Sequence, residues 1–191
     1  MEDMKRQTVV LSLIERLNLY GSWCGETHIQ KSLYFLQEML GVPTGYEFIL
    51  YKHGPFSFDL KDELGVMRAN MIIEIQSKPY PYGPSLIPGE AAERLKELYP
   101  KTTKEYGRQI DFAAKKLAGF RVAELERLAT ALFVTLEEDM DKSAQARAKR
   151  IIELKPHIKI NEALKAVGEV NSLMTEVEKE FHFKKPVIKN P

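Results

Sequence analysis

The feature of this sequence that most constrains its fold is a change in the hydrophobic pattern near residue 90. Before that point, helix-like and strand-like segments alternate, and after it the apolar residues follow helical spacing. Short strands confined to one half of a chain, with helices elsewhere, predict a mainly α fold of the α+β class. The expected helices of the second half are 90–98, 103–118, 121–138, 143–154 and 161–181.

In the first half the patterns occur in the order helix, helix, strand, helix, strand, strand. Three helices backed by a small three-stranded sheet with a protruding hairpin form a winged-helix-like arrangement. It would be a variant, because the usual winged helix has its first strand one helix earlier. The expected helices are 5–20, 28–40 and 58–69, and the expected strands are 46–51, 71–75 and 85–87.

The same patterns divide the chain into parts. We predict a winged-helix-like subdomain over 1–90, a helical subdomain over 91–183 that packs on it as a C-terminal bundle, and a flexible tail over 184–191. No repeat and no low-complexity linker separates the two subdomains. We therefore expect them to share one core.

Composition excludes several classes of protein. A content of 44% apolar and 29% charged residues is typical of a globular domain. One cysteine cannot form an internal disulfide. No apolar run reaches the roughly 20 residues of a membrane span, and the charged N-terminus lacks the apolar core of a signal peptide. The sequence therefore predicts a cytoplasmic protein.

The net charge of +1 conceals an asymmetry along the chain. Residues 1–100 hold 10 basic and 13 acidic side chains, whereas residues 101–191 hold 18 and 14. The half with winged-helix-like topology is thus the acidic one. This distribution favours protein binding over DNA reading in that half, since duplex binding depends on neutralising phosphates.

Two blocks in the first half form a recognisable pair, an apolar helical segment followed by a Gly-Pro-Phe-Ser turn. They are Ile29-Gln30-Lys31-Ser32-Leu33-Tyr34-Phe35-Leu36, and Tyr51-Lys52-His53-Gly54-Pro55-Phe56-Ser57 followed by Asp59-Leu60. These blocks resemble the YwgA-like family and the related Panacea-type domain, in which an "LQKLLYF" helix precedes an aromatic-Gly-Pro-[Phe/Tyr]-Ser turn. The stretch 122–129 also resembles the second half of that family. This chain has His53 where Panacea members often have tyrosine.

The resemblance implies a winged-helix-like core with added helices. Panacea-type domains occur in antitoxins and phage-associated proteins, where the domain is linked to neutralising a toxin, and many YwgA-like members have no assigned activity. By resemblance, the partner of this chain would be a toxin or a phage-related protein.

The Gly-Pro-Phe-Ser turn has two interpretations. In the first, each residue has a structural role, because Gly54 can take a positive φ, Pro55 fixes its own φ, Phe56 packs, and Ser57 caps the next helix. Alternatively, the turn forms a contact surface at a helix N-terminus, which attracts anions. Asp59, directly behind the cap, would repel an anion, so the structural interpretation is favoured.

No pattern in the sequence indicates catalysis. A nucleophile elbow, a phosphate-binding glycine loop and a zincin motif are all missing. The acidic run 137–139 is typical of a solvated helix end. Cys24, His28 and His53 lack the spacing and the fourth ligand of structural zinc. We therefore predict a non-enzymatic protein without a metal or cofactor.

Exposed aromatic residues suggest a surface for a protein partner. The segment 80–84 is a Pro/Tyr-rich hairpin tip, where tyrosines offer contact area at low entropic cost and prolines stiffen the chain. The alternative is that the tyrosines fold back onto the helical half. The predicted partner-binding residues are Tyr80, Tyr82, His53 and Phe56.

A basic cluster provides the alternative hypothesis, a DNA-binding winged-helix transcriptional regulator. The helix over 58–69 carries three carboxylates against two cations, which suits it poorly to a polyanion. Nucleic acid would therefore bind elsewhere, although a solvated helix face is the commoner meaning of such a charge run. The candidate residues are Lys142, Arg147, Lys149, Arg150, Lys155 and Lys159. The leading hypothesis remains a regulatory or interaction protein that binds another protein.

Overall fold

The computed structural model describes residues 1–79, 83–137 and 141–182, and over these residues the protein is mainly helical, as predicted. The helices are α1 Asp3–Leu19, α2 Glu26–Glu38, α3 Phe58–Ala69, α4 Ala92–Leu98, α5 Pro100–Leu117, α6 Val122–Leu136, α7 Ala144–Leu154 and α8 Ile160–Phe181. The strands are β1 Ile49–Tyr51, β2 Gly54–Phe56, β3 Ile73–Gln76 and β4 Ser85–Pro88.

The predicted three-stranded sheet is wrong. Over the described residues the strands form two separate antiparallel pairs, β1 with β2 and β3 with β4. The reason is local, since Gly54 adopts φ +85°, which lets the chain reverse after only two residues so that β1 pairs with the segment that follows it. The strand expected at 46–51 therefore finds its partner in 54–56, which had been predicted as a turn.

The Gly-Pro-Phe-Ser segment otherwise has the structural role predicted for it. Pro55 lies opposite Leu50 in the β1–β2 pair. Ser57 is the N-cap of α3, and its Oγ accepts a hydrogen bond from the backbone N–H of Leu60 at 3.3 Å. The segment is thus a strand of a tight hairpin that leads directly into α3.

The helices pack across the point where the sequence pattern changes. Helix α1 contacts α5, and α2 contacts both α5 and α6, while α6, α7 and α8 pack on one another. The buried apolar side chains of the two halves belong to one hydrophobic cluster. The division into subdomains at residue 90 stays a prediction, and the predicted tail over 184–191 lies outside the described residues. In the described part of the chain, no helix combines the length and apolarity needed to cross a bilayer.

Substitution of Gly54 tests the hairpin geometry. An added Cβ would lie 3.1 Å from the Thr130 Oγ1 and 3.3 Å from the Glu126 carbonyl oxygen, in addition to the unfavourable positive φ. We expect Gly54→Ala to lower the free energy of unfolding by about 1–2 kcal/mol or more, measured by urea denaturation.

The matched control is Gly65→Ala. Gly65 lies within α3, and its Cβ would meet no atom within 4 Å. This change should be neutral or stabilise the protein by up to about 1 kcal/mol. Equal effects of the two substitutions would contradict the assigned role of Gly54.

Candidate functional site

The two sequence blocks that carry the family resemblance lie in direct contact. Gln30 on α2 holds Ser57 through two hydrogen bonds: its amide nitrogen donates to the Ser57 carbonyl at 2.9 Å, and its amide oxygen accepts from the Ser57 N–H at 2.9 Å. Its neighbour Lys31 donates from Nζ to the Pro55 carbonyl at 2.9 Å. Because all these groups are buried, α2 fixes the β2 backbone in a site shielded from water.

A second lysine holds the same hairpin from the other half of the chain. Lys155, just after α7, donates from Nζ to the Lys52 carbonyl at 2.7 Å and also to the Tyr51 carbonyl. Gly54 lies against α6, close to Thr130 and Glu126. Elements on both sides of residue 90 therefore set the position of the hairpin.

Glu126 on α6 supplies negative charge near both lysines. Its side chain is only 9% exposed, and its carboxylate lies 3.3 Å from the His53 Nδ1 and 3.5 Å from the His157 Nε2. Burial lowers the pKa of Lys31 to about 8, and the Glu126 carboxylate opposes that shift. Burial also lowers the pKa of Lys155, again opposed by Glu126. We call Lys31, Glu126 and Lys155 the hairpin clamp.

Three aromatic rings lie together on the outside of this hairpin. The ring centroids of Tyr51 and Phe56 are 5.8 Å apart, those of Tyr51 and Phe58 are 5.6 Å apart, and those of Phe56 and Phe58 are 5.1 Å apart. Tyr51 is 44% exposed and Phe58 is 48% exposed. Ile49, on the same strand, is also exposed. We call Ile49, Tyr51, Phe56 and Phe58 the aromatic surface.

The structure brings two of the four predicted partner-binding residues to this place. Phe56 is part of the aromatic surface, and His53 is an exposed residue of the adjoining turn. Tyr80 and Tyr82 lie outside the described residues. Sequence reasoning missed Tyr51 and Phe58, although both flank the turn that it had singled out.

Sequence reasoning also missed the hairpin clamp. A signal for Lys31 was present, since this cation lies in an apolar helical segment between Ile29 and Leu33. Nothing in the sequence indicated that Glu126 would be buried, because the contact joins residues about 95 positions apart.

The six residues of the predicted basic cluster are not equivalent in the structure. Arg147 is buried and donates to Thr135 at 3.0 Å and to Asn171 at 2.9 Å. Lys155 belongs to the hairpin clamp. The remaining four lie nearer the surface. Of these, Arg150 pairs with Glu137 and Glu153, Lys142 donates to two carbonyls at the C-terminal end of α6, and Lys149 and Lys159 are exposed.

The soft side chains considered as metal ligands are separated. The buried Cys24 thiol faces the Ile14 carbonyl, and burial raises its pKa to about 12. His28 is bonded through Nε2 to the Phe120 carbonyl at 2.9 Å. Among the residues described by the structure, no group of three or more His, Cys, Asp or Glu side chains is arranged to hold a metal ion.

Comparison with known proteins does not assign this chain to a family. No protein-family model matches the sequence, and a search of curated proteins finds no significant match. The YwgA-like and Panacea-type resemblance therefore stays a prediction.

Replacing Lys31 with methionine tests the charge state of the hairpin clamp. Lysine has a pKa of 10.5 when unperturbed and about 8 in this site, so the unfolded chain binds more protons between those values. Raising the pH from 7 to 10.5 should therefore stabilise the wild type relative to Lys31→Met by up to about 3 kcal/mol. Urea denaturation at each pH measures the difference.

Lys149→Met is the matched control, since Lys149 is an exposed residue of α7. The free energy of unfolding of this variant should stay within about 0.5 kcal/mol of the wild-type value at each pH, because the substitution lies at the surface. If the free energy of unfolding of Lys31→Met relative to wild type is also independent of pH, Lys31 is not held in a desolvated site.

Proposed function

We propose that this protein is a non-enzymatic interaction protein that binds a protein partner through the aromatic surface. The observation that carries the proposal is the exposure of Tyr51 and Phe58, whose rings contact each other and the half-buried ring of Phe56. Aromatic side chains dominate the energetic centres of protein interfaces, because they bury a large apolar area with few rotatable bonds.

The hairpin clamp supports this proposal by fixing the backbone beneath the rings. The carbonyls of Tyr51, Lys52 and Pro55 all accept hydrogen bonds from lysine ammonium groups. A surface held in its binding conformation before the encounter loses less conformational entropy on association. The buried cations thus favour a preorganised contact surface.

The nature of the partner rests on the family resemblance. The resemblance implies a toxin or a phage-related protein as partner. From the composition of the chain, we propose that the two meet in the cytoplasm. In the winged-helix-like interpretation, α1, α2 and α3 form the helical trio and β3–β4 forms the wing. The aromatic surface would then lie at the start of the third helix.

The alternative, a DNA-binding regulator, has less support from the charges. Two of the six basic candidates, Arg147 and Lys155, are buried, and a third, Arg150, is paired with carboxylates. Such groups are less available to neutralise phosphates. DNA binding through the remaining lysines stays a prediction.

Site-specific photocrosslinking tests the proposed function. A benzophenone side chain at position 58 of the full chain should capture a discrete protein in cells that express it. The same probe at position 98 is the control, because Leu98 is 56% exposed but lies on α4. With the captured protein purified, Tyr51→Ala plus Phe58→Ala should weaken binding by about 100-fold, whereas Leu98→Ala should leave it unchanged.

Three results would count against the proposal. One is equal capture at positions 58 and 98, and another is unchanged affinity of the double variant. The third is tight binding of a random DNA duplex by the wild type at low salt that weakens steeply as salt rises, which would favour the regulator. Replacing Tyr80 and Tyr82 with alanine tests the hairpin tip separately.

A further inference from the structure

The two edges of the β1–β2 hairpin differ in how they are covered. On the β2 edge, the Pro55 carbonyl accepts from Lys31, and both backbone groups of Ser57 are bonded to Gln30. In the part of the chain that the structure describes, α2 and α6 pack on β2, whereas no helix packs extensively on β1. The hairpin is therefore held from the β2 side.

The register shows which backbone groups of β1 face its outer edge. Tyr51 and Gly54 close a two-residue turn, which makes them a bonded pair. Bonded and non-bonded pairs alternate along the ladder, so Leu50, opposite Pro55, is at a non-bonded position. The N–H and C=O of Leu50 hence point away from β2. Pro55 agrees with this, since it has no N–H to donate and its carbonyl points to Lys31.

The same alternation extends to Phe48. The register continued by one residue places Phe48 opposite Ser57, whose backbone groups are bonded to Gln30 and leave this position non-bonded as well. Outward backbone groups thus recur at Phe48 and Leu50, while Lys155 bonds to the carbonyls of the two residues that follow Leu50. Among residues 1–79, 83–137 and 141–182, none is bonded to the outward groups of Phe48 and Leu50.

The stretch from Glu47 to Tyr51 is open to solvent. Each of its residues is exposed or partly exposed, and Ile49 is 43% exposed. The ring of Phe48 turns inward against Tyr34, with centroids 5.1 Å apart. Because side chains alternate along a strand, Glu47, Ile49 and Tyr51 share the outer face.

This outer face is self-complementary about Ile49. In an antiparallel pair of two β1 strands with a two-fold axis at Ile49, Phe48 of each copy lies opposite Leu50 of the other, so the outward groups form bonded pairs. Ile49 meets its own copy in an apolar contact. Glu47 and Tyr51, each two residues from the axis, lie opposite each other, so a carboxylate meets a phenolic hydroxyl twice. Over the described residues, these two polar groups have no other hydrogen-bond or ion-pair partner.

We propose that β1 pairs with β1 of a second copy of this chain, so that two hairpins form one four-stranded antiparallel sheet. The two-fold axis is perpendicular to the sheet, and both aromatic surfaces therefore lie on the same face. The pairing uses the backbone edge of β1 and leaves the rings available to another protein. It does not rest on the proposed function, but it doubles the aromatic surface that a partner would meet.

Substitutions of Ile49 test the two-fold axis directly. In sedimentation velocity at about 0.1 mM, wild type should migrate as two chains, a concentration suited to a weak, small interface. Ile49→Lys and Ile49→Glu should each raise the dissociation constant about tenfold or more, because each variant places like charges opposite each other. An equimolar mixture of the two variants should restore the two-chain species, since lysine then faces glutamate. Its recovery also shows that both variants are folded.

Leu98→Lys is the matched control, because Leu98 is 56% exposed but lies on α4. It should migrate as wild type does. Hydrogen exchange provides a second measurement on the unaltered chain. The Leu50 amide should be protected at concentrations where two chains sediment together and exchange faster on dilution.

A wild type that stays monomeric at about 0.1 mM would overturn the proposal. So would two folded variants whose mixture remains monomeric, or Ile49→Lys that pairs as tightly as wild type does. If either variant fails to fold, equal exchange of the Leu50 amide at high and low concentration would overturn it instead. Capture of a different protein at position 58 would still support the proposed function in each of these cases.

Discussion

The burial of two lysines beneath one hairpin is the interaction on which the rest of this structure depends. Lys31 from α2 and Lys155 from the end of α7 each donate to carbonyls of the segment 51–55. A buried ammonium group is costly unless hydrogen bonds and a counter-charge compensate for its lost hydration. Here the carbonyls provide the bonds and Glu126 provides the charge. Removing either the carboxylate or the carbonyls would leave a cation uncompensated.

This arrangement explains why the hairpin needs glycine and proline in sequence. Gly54 allows the reversal and the close approach of α6, since its missing side chain leaves space beside Thr130 and Glu126. Pro55 lacks an N–H, but its carbonyl is the one that Lys31 requires. Ser57 then ends the strand and caps α3. The four residues 54–57 thus connect a strand, a buried cation and a helix. The same contacts hold the backbone of the aromatic surface in place.

The sequence predicted those parts of the fold that depend on local chemistry. The mainly α class, the Ser57 cap and the positive φ of Gly54 follow from helical periodicity, side-chain oxygen placement and the missing Cβ. Strand pairing was predicted wrongly because it depends on contacts between segments: 46–51 had two potential partners, and the tight turn selected the nearer one.

The candidate site could be predicted only in part, because it too depends on contacts between segments. Phe56 was found because it belongs to a recognisable turn, whereas Glu126 meets that turn only through the packing of α6. Lys155 was interpreted as surface charge, since sequence alone does not distinguish a solvated lysine from one that donates to buried carbonyls.

The aromatic surface lies at the junction of the hairpin and helix α3. Tyr51 and Phe56 belong to the two strands and Phe58 is the first residue of α3, so the three rings keep their mutual positions only while hairpin and helix are held together. The Ser57 cap and the two hydrogen bonds from Gln30 fix that junction. The backbone geometry that the clamp imposes is therefore transmitted to the side chains that we propose to contact a partner, and loosening the clamp would raise the conformational entropy lost on binding.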